Sequence, residues 1–377
     1  MEFSLSEDQQ SLRELAAQIL GDGSTDETLR AFAADERRYD DGLWRTLAEA
    51  GLLGVGIDAT HGGSGFGLFE LGLILEEQGR TLAPLPLLQT LVLGAMPIQK
   101  FGSDVQKARW LPAIVRGEAI LAAAIDETRG LDPARPMLQA ARDGGGWRLN
   151  GTKLAVPYGA EADLWLVPAR TGAGPVLFLV DPRAAGIEIT PQQSTSGQPQ
   201  AQIRFADCRL ADDDVLGGVE RGEEVLGWTI QQGQVGLSAF QLGVAAEALS
   251  RTALYTNTRV QFGRPIGSMQ AVQQRVADAF IDVEAMRSTY LRAAWVLSRD
   301  ETATAEVATA KYWAAIGGHR VVHAAQHLHG GMGADISYPI HRYFLAATQA
   351  GLALGGSQPI LALIGSEIAA GKAPRLT

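Results

Sequence analysis

The sequence predicts an α+β protein that is mostly α: an N-terminal helical domain (1–118), a small middle β domain (119–219) and a C-terminal helical domain (220–377). Three observations carry this reading. Apolar residues recur at helical spacing through the first stretch and again through the last. Between them the rhythm shortens to brief apolar runs separated by Gly, Pro and Asn turn signals. Strand and helix patterns do not alternate, which argues against a parallel βαβ sheet. In the same sense, no GxGxxG follows a strand and no GxxxxGK(S/T) occurs.

The elements follow in order. Ser6-Glu7-Asp8-Gln9 has capping-box spacing, so a helix starts after Ser6. Leu12, Leu15, Ala16 and Ile19 continue it at i, i+3, i+4 and i+7, and Gly21 can end it. Residues 41–51 (around Trp44, Leu47 and Leu52), 68–79 and 85–101 are further helices, and Thr60-His61-Gly62-Gly63-Ser64-Gly65 is a turn cluster. Ile120–Ile125, Trp147–Leu149, Leu164–Val167, Val176–Val180 and Gln202–Phe205 read as strands. WRLNGTKLAV (147–156) predicts a hairpin, because Asn150-Gly151 tolerates the positive φ angles of a two-residue turn. From 220 onward Val272, Val276, Ala279, Phe280 and Val283 mark one face of a long helix. Ala-rich stretches at 242–254, 302–328 and 343–354 suit close helix packing.

Composition narrows the function. A net charge of −10 over 377 residues argues against nucleic acid, whose binders present a basic face. The single cysteine, Cys208, excludes an internal disulfide and a Cys-rich metal site, and fits a reducing cytoplasm. MEFSLSEDQQ is too acidic and polar for a secretory signal. No apolar run reaches the roughly 18–20 residues of a membrane span. A cytoplasmic protein that binds neither nucleic acid nor membrane is expected.

RVQFGRPIGSMQAVQQRVAD (259–278) resembles the most distinctive stretch of the acyl-CoA dehydrogenase family. LWRTLAEAGLLGVGIDATHGGSGFG (43–67), LILEEQGR (73–80), KARWLPAIVRGEAILAAAIDE (107–127), GGWRLNGTKLAV (145–156), FADCRLADDDVLG (205–217) and GGMG with YPIHRYF (330–344) agree in order. The resemblance spans nearly the whole chain. It implies a helical domain, a β-barrel-like middle domain and a C-terminal four-helix bundle. It also implies FAD, an acyl-CoA substrate, and a flavin lying across a subunit interface. In the family's reaction a carboxylate takes the α proton of a thioester while a hydride leaves the β carbon for the flavin. That proton is weakly acidic, so a placed base and hydrogen bonds to the developing enolate are required.

The resemblance assigns roles position by position. Arg259, Gln261 and Phe262 stand where the family holds the pyrophosphate and adenosine side of FAD, and a planar guanidinium suits a diphosphate. Outside that string, the same residues would read as a surface Arg and a core Phe at a helix end. The loop that in the family carries Gln-x-x-Gly-Gly keeps Gly330 and Gly331, with His327 at the Gln position and Gln326 one residue earlier. His323 and His329 read as packing residues. The flavin-ring side departs from the pattern. Asp126-Glu127-Thr128-Arg129-Gly130-Leu131-Asp132-Pro133 replaces a Thr-Glu-Pro…Gly-Ser-Asp segment. Ala155-Val156-Pro157-Tyr158-Gly159 replaces an aromatic and a hydroxyl, and Pro157 has no N–H to give. Tyr158 is open to a ring contact or to loop packing alike.

The base is the sharpest departure. The family's Glu falls at Leu354, and its alternative position, just before an Arg, falls at Gly233 in the pair Gly233-Gln234. No catalytic residue is therefore assigned. Asp335 reads as a cap or a solvated acid, and Glu223 and Glu224 as helix-start charges. HLHGG…YPIHRYF…LGG resembles one bacterial branch, working as α2β2 heterotetramers in steroid breakdown, in which one subunit carries the Glu and the other lacks it. The leading expectation is the Glu-lacking subunit of such an FAD-dependent acyl-CoA dehydrogenase, with a related subunit supplying the base and an electron-transfer flavoprotein as acceptor. A self-sufficient homo-oligomeric flavoenzyme with an unusual base, and a non-catalytic homologue, are the alternatives.

Overall fold

The computed structural model describes residues 4–35, 38–128, 132–299 and 301–371. Within them the chain forms two compact units, interleaved in sequence. One comprises 1–31, 72–83 and 234–377, the other 32–71 and 84–233.

The first unit is helical. Helix Glu7–Gly23 opens with the expected capping box: Gln9 N–H donates to Ser6 Oγ at 3.2 Å and Ser6 N–H to Gln9 Oε1 at 3.0 Å. Helix Thr304–His329 packs against helices Gln270–Leu297, Ile340–Leu352 and Ser357–Ala369. Helix Gly222–Thr258 closes the group, with Val244 and Ala248 packed against Val322, Ile340 and Tyr343. Small residues on Thr304–His329 (Ala308, Ala315, Val322, Ala325) let these helices approach closely. Phe280 is an exception to the expected face: it is 55% exposed. The buried stripe of that helix is narrow and runs through Ala279, Val283, Met286 and Tyr290, so the i+4 neighbour of Val276 falls outside it.

The second unit holds a seven-stranded sheet: β1 (Leu121–Ala123), β2 (Gln139–Asp143), β3 (Gly146–Pro157), β4 (Leu164–Arg170), β5 (Pro175–Val180), β6 (Ile187–Gln193) and β7 (Pro199–Ala211). Its order is β1-β4-β2-β3-β7-β6, with β5 also paired to β4. The sheet curls, as the resemblance implies. The hairpin expected at Asn150-Gly151 is not there. β3 runs through it as one strand, and the turn lies at Gly144-Gly145, between β2 and β3. Asn-Gly instead absorbs a register shift against β7. Asn150 Oδ1 accepts the Asp207 N–H at 2.9 Å, and Gly151 (φ 139°) leaves room for Leu138 where a Cβ would stand 2.8 Å away. A bulge and a tight turn ask for the same unusual backbone, which is why the dipeptide misleads.

The 85–101 helix is likewise more irregular than expected: Leu88–Ala95 is π-helical and Met96–Phe101 is α-helical. Its buried Gln89 and Thr90 take up the edge of β1. Ala123 N–H donates to Gln89 Oε1 at 3.1 Å and Leu121 N–H to Thr90 Oγ1 at 3.2 Å. Side chains thus replace a missing neighbouring strand. No single helix among the described residues is long and apolar enough to cross a membrane.

Candidate cofactor site and base turn

Helix Gly222–Thr258 ends in a two-stranded hairpin, β8 (Val260–Gln261) with β9 (Arg264–Pro265). Its two central residues, Phe262 (φ 53°) and Gly263 (φ 77°), are both left-handed, the requirement of a type I′ turn. For Phe262 that backbone costs about 1–2 kcal/mol. Its ring recovers nothing within the chain, being 91% exposed. Arg259 and Gln261 are exposed beside it. The backbone is nonetheless fixed: Arg259 N–H donates to Tyr255 O at 2.8 Å and Ile266 N–H to Arg259 O at 2.9 Å. A rigid tip therefore presents a guanidinium, an amide and an aromatic face outward.

Helix Thr304–His329 ends at Gly330, whose φ 59° and ψ −132° only glycine adopts readily. Around Gly330 and Gly331 the space that side chains would fill is open. Gln326 turns inward and its Nε2 donates to Gly333 O at 2.8 Å, bracing the loop, while His327 is exposed. His329 is buried beneath the loop, as its packing role anticipates. Open glycine backbone and an exposed Arg–Phe tip fit the diphosphate and adenosine portion of a dinucleotide.

The third feature is the turn after helix Ile340–Leu352. Leu354 (φ 53°) and Gly355 (φ 100°) form a sharp left-handed bend. It is held by dedicated contacts. Gln234 Nε2 donates to Leu354 O at 2.9 Å, and the buried Lys311 Nζ donates to Gly351 O at 3.1 Å and Ala350 O at 3.4 Å. An ammonium on helix C-terminal carbonyls satisfies groups that have no partner within the helix. The bend presents Leu354, 5% exposed and unable to take a proton. Gly233, buried, directly precedes Gln234 on the same helix. Neither position offers an acid. Asp335 is exposed, and its Oδ1 accepts Ser337 N–H at 2.8 Å, which holds its carboxyl below the ordinary range. It caps a turn. Glu223 and Glu224 stand in the first turn of their helix, with Glu224 paired to Arg221.

In the second unit the 154–159 stretch is turned on itself. Leu154 N–H donates to Asp126 O (2.8 Å), Ala155 N–H to Gln192 Oε1 (3.0 Å), Tyr158 N–H to Pro199 O (2.9 Å) and Gly159 N–H to Val156 O (3.1 Å). Pro157 has none, so these donors are spent internally. Tyr158 is buried in the core, where desolvation pushes its phenol pKa far up, so loop packing accounts for it. Glu127 is a strut. It pairs with the fully buried Lys153 at 2.7 Å and accepts N–H bonds from Met137 (2.6 Å) and Leu138 (2.9 Å). Arg129, Gly130 and Leu131 lie outside the described residues. Nothing local in the sequence marks Lys311, a lysine in an Ala-rich stretch, as a brace for this turn.

Three family descriptions match the chain in order: the acyl-CoA dehydrogenase N-terminal domain over 6–118, the middle domain over 122–208 and the C-terminal domain over 220–369. Acyl-CoA dehydrogenase FadE27 of Mycobacterium tuberculosis is 40% identical over 98% of this chain and 99% of its own. Among solved structures, a variant of the Tcur3481-Tcur3483 steroid ACAD is 42% identical with a TM-score of 0.92, covering 98% of this chain and 99% of the other. The ChsE4-ChsE5 complex from M. tuberculosis is 40% identical with the same TM-score and coverage.

Proposed function

The chain belongs to the acyl-CoA dehydrogenase family, and we propose that it works as the base-lacking subunit of a heteromeric FAD-dependent enzyme that oxidises an acyl-CoA thioester between its α and β carbons. The observation that carries this reading is Leu354. A braced turn carries an apolar side chain at the position where the family resemblance expects a proton acceptor. A related subunit bearing the Glu then supplies the base. The likeness to two complexes that each pair two different chains supports this arrangement, and the steroid ACAD supports a bulky, steroid-derived acyl group.

In this reading Arg259 would hold the diphosphate with Gln261 and Phe262 beside it, and the open backbone of Gly330 and Gly331 with the exposed His327 would receive the adenosine side, while Gln326 braces that loop from within. Bound FAD supplies the hydride acceptor for the β carbon. The N–H groups of Leu154, Ala155, Tyr158 and Gly159 are already used within the chain, and the ring-side hydrogen bonds are assigned to the partner. An electron-transfer flavoprotein as re-oxidant and a cytoplasmic location follow by family analogy.

The test is expression alone and together with a Glu-bearing homologue. Acyl-CoA oxidation is expected only from the co-expressed pair, and is expected to vanish when the homologue's Glu is changed to Gln. Turnover by this chain alone would instead support a self-sufficient enzyme with another base. A co-purified, flavin-loaded pair that oxidises no acyl-CoA would support a non-catalytic role.

A further inference from the structure

Two segments distant in sequence are assigned above to one cofactor: the Arg259–Phe262 tip and the Gly330 loop. His329 lies at the foot of both. Its ring is 2% exposed and stacks on Tyr255, with centroids 4.2 Å apart and 24° between planes. Tyr338 supplies a third ring at 5.3 Å. Tyr255 stands one turn before Arg259 and accepts its N–H, whereas Gly330 follows His329 directly. A single imidazole thus abuts both segments.

The tautomer follows from the hydrogen bonds. His329 Nδ1 lies 2.8 Å from Ala325 O, which can only accept, so Nδ1 carries the hydrogen. Nε2 keeps its lone pair, buried and without a partner. A second proton would create a charged N–H facing no acceptor. The rings packed on it are phenols, and the Tyr255 hydroxyl donates to His329 O at 3.4 Å. The charges behind Tyr338 are Arg251 and Asp26, already paired with each other at 2.8 Å, with His341 one turn further on. Burial holds the imidazole pKa below its ordinary value, against a smaller opposing effect of the Ala325 bond.

We propose that His329 is a positioning residue that couples the Arg259 tip to the glycine loop, and that it does so only as the neutral Nδ1–H tautomer. The proposal rests on the reading that both segments receive FAD. Its sign is fixed by the folded state's preference for the neutral ring. The contribution of His329 is complete above the ordinary histidine range, about 6.5, and is lost as pH falls through its depressed folded value. Protonation releases the ring from its stack and loosens both segments together. Cofactor affinity then falls by about tenfold per pH unit below that value, the slope of a single linked proton.

The experiment follows hydrogen exchange of residues 255–266 and 329–338 in the full chain within its co-purified complex. It runs from about pH 8 to about pH 5, corrected for the intrinsic pH dependence of exchange, with retained flavin measured on the same samples. In the unmodified chain both segments are expected to lose protection together, and flavin with them. His329→Asn keeps a donor for Ala325 O but has neither the ring stack nor a titrating group, and is expected to show pH-independent protection below that of the unmodified chain at about pH 8. His329→Phe keeps the ring stack without the donor and is expected to be pH-independent at lower protection, so either variant suffices if the other fails to fold. Segments that loosen at different pH, or an Asn variant with the same pH profile, would overturn the proposal. A complex without flavin whose two segments still loosen together defeats the FAD reading and leaves the coupling intact. Flavin retained while exchange is insensitive to pH does the reverse.

Discussion

Phe262 occupies a left-handed backbone that suits glycine, and its ring is exposed. An exposed residue held in strained backbone marks a candidate contact surface, and Arg259 on the same tip suits an anionic one. Arg259→Ala is expected to lower the flavin content of the complex several-fold while leaving the melting temperature of the flavin-free chain within a degree or two, since exposed substitutions change stability by about 0.5 kcal/mol or less. Arg259→Lys is expected to recover only part of the loss, because an ammonium cannot bond a diphosphate in a planar, two-pronged fashion. Equal flavin content in all three proteins would remove Arg259 from the site. At this scale the sequence was informative where chemistry is missing: GLALGGSQ contains no proton acceptor, so the vacancy at Leu354 was legible. The brace around it was not. Lys311 and Gln234 reach that turn from other helices, and nothing local to either residue announces its target.

Among the elements, β3 shows both the strength and the limit of local signals. Its apolar alternation was read as strand at Trp147–Leu149, but Asn150-Gly151 forms a bulge, because β7 offers Asp207 as a partner for the Asn150 amide. That choice depends on a strand more than fifty residues away. The Lys153–Glu127 pair is the electrostatic centre of the same element. Both groups are almost wholly removed from water, and burial outweighs Glu127 in setting the direction of the Lys153 shift, which is downward. Glu127→Gln leaves that ammonium without a counter-charge and is expected to cost about 3–5 kcal/mol, seen as a lower denaturant midpoint. The double change Lys153→Met with Glu127→Gln is expected to recover a good part of it. If the single variant were as stable as the original, the pair would not be a strut. Glu127 is therefore committed to holding this part of the sheet.

Across the whole molecule, the change from helical to short-run rhythm near 119 and back near 220 was legible, because periodicity reports which side of each element is buried. The grouping into two interleaved compact units was not. Residues 72–83 join the C-terminal helices only through tertiary packing, which a periodic pattern does not encode. The molecule carries an exposed Arg–Phe tip, an open glycine loop and a braced but acid-free turn. In the proposed function such a chain completes a site by association with a related subunit. The flavin-to-chain ratio of the purified complex with a Glu-bearing homologue tests this most directly. About one flavin for every two chains is expected, shared across each unlike pair. One flavin per chain, with this subunit holding its own, would contradict it.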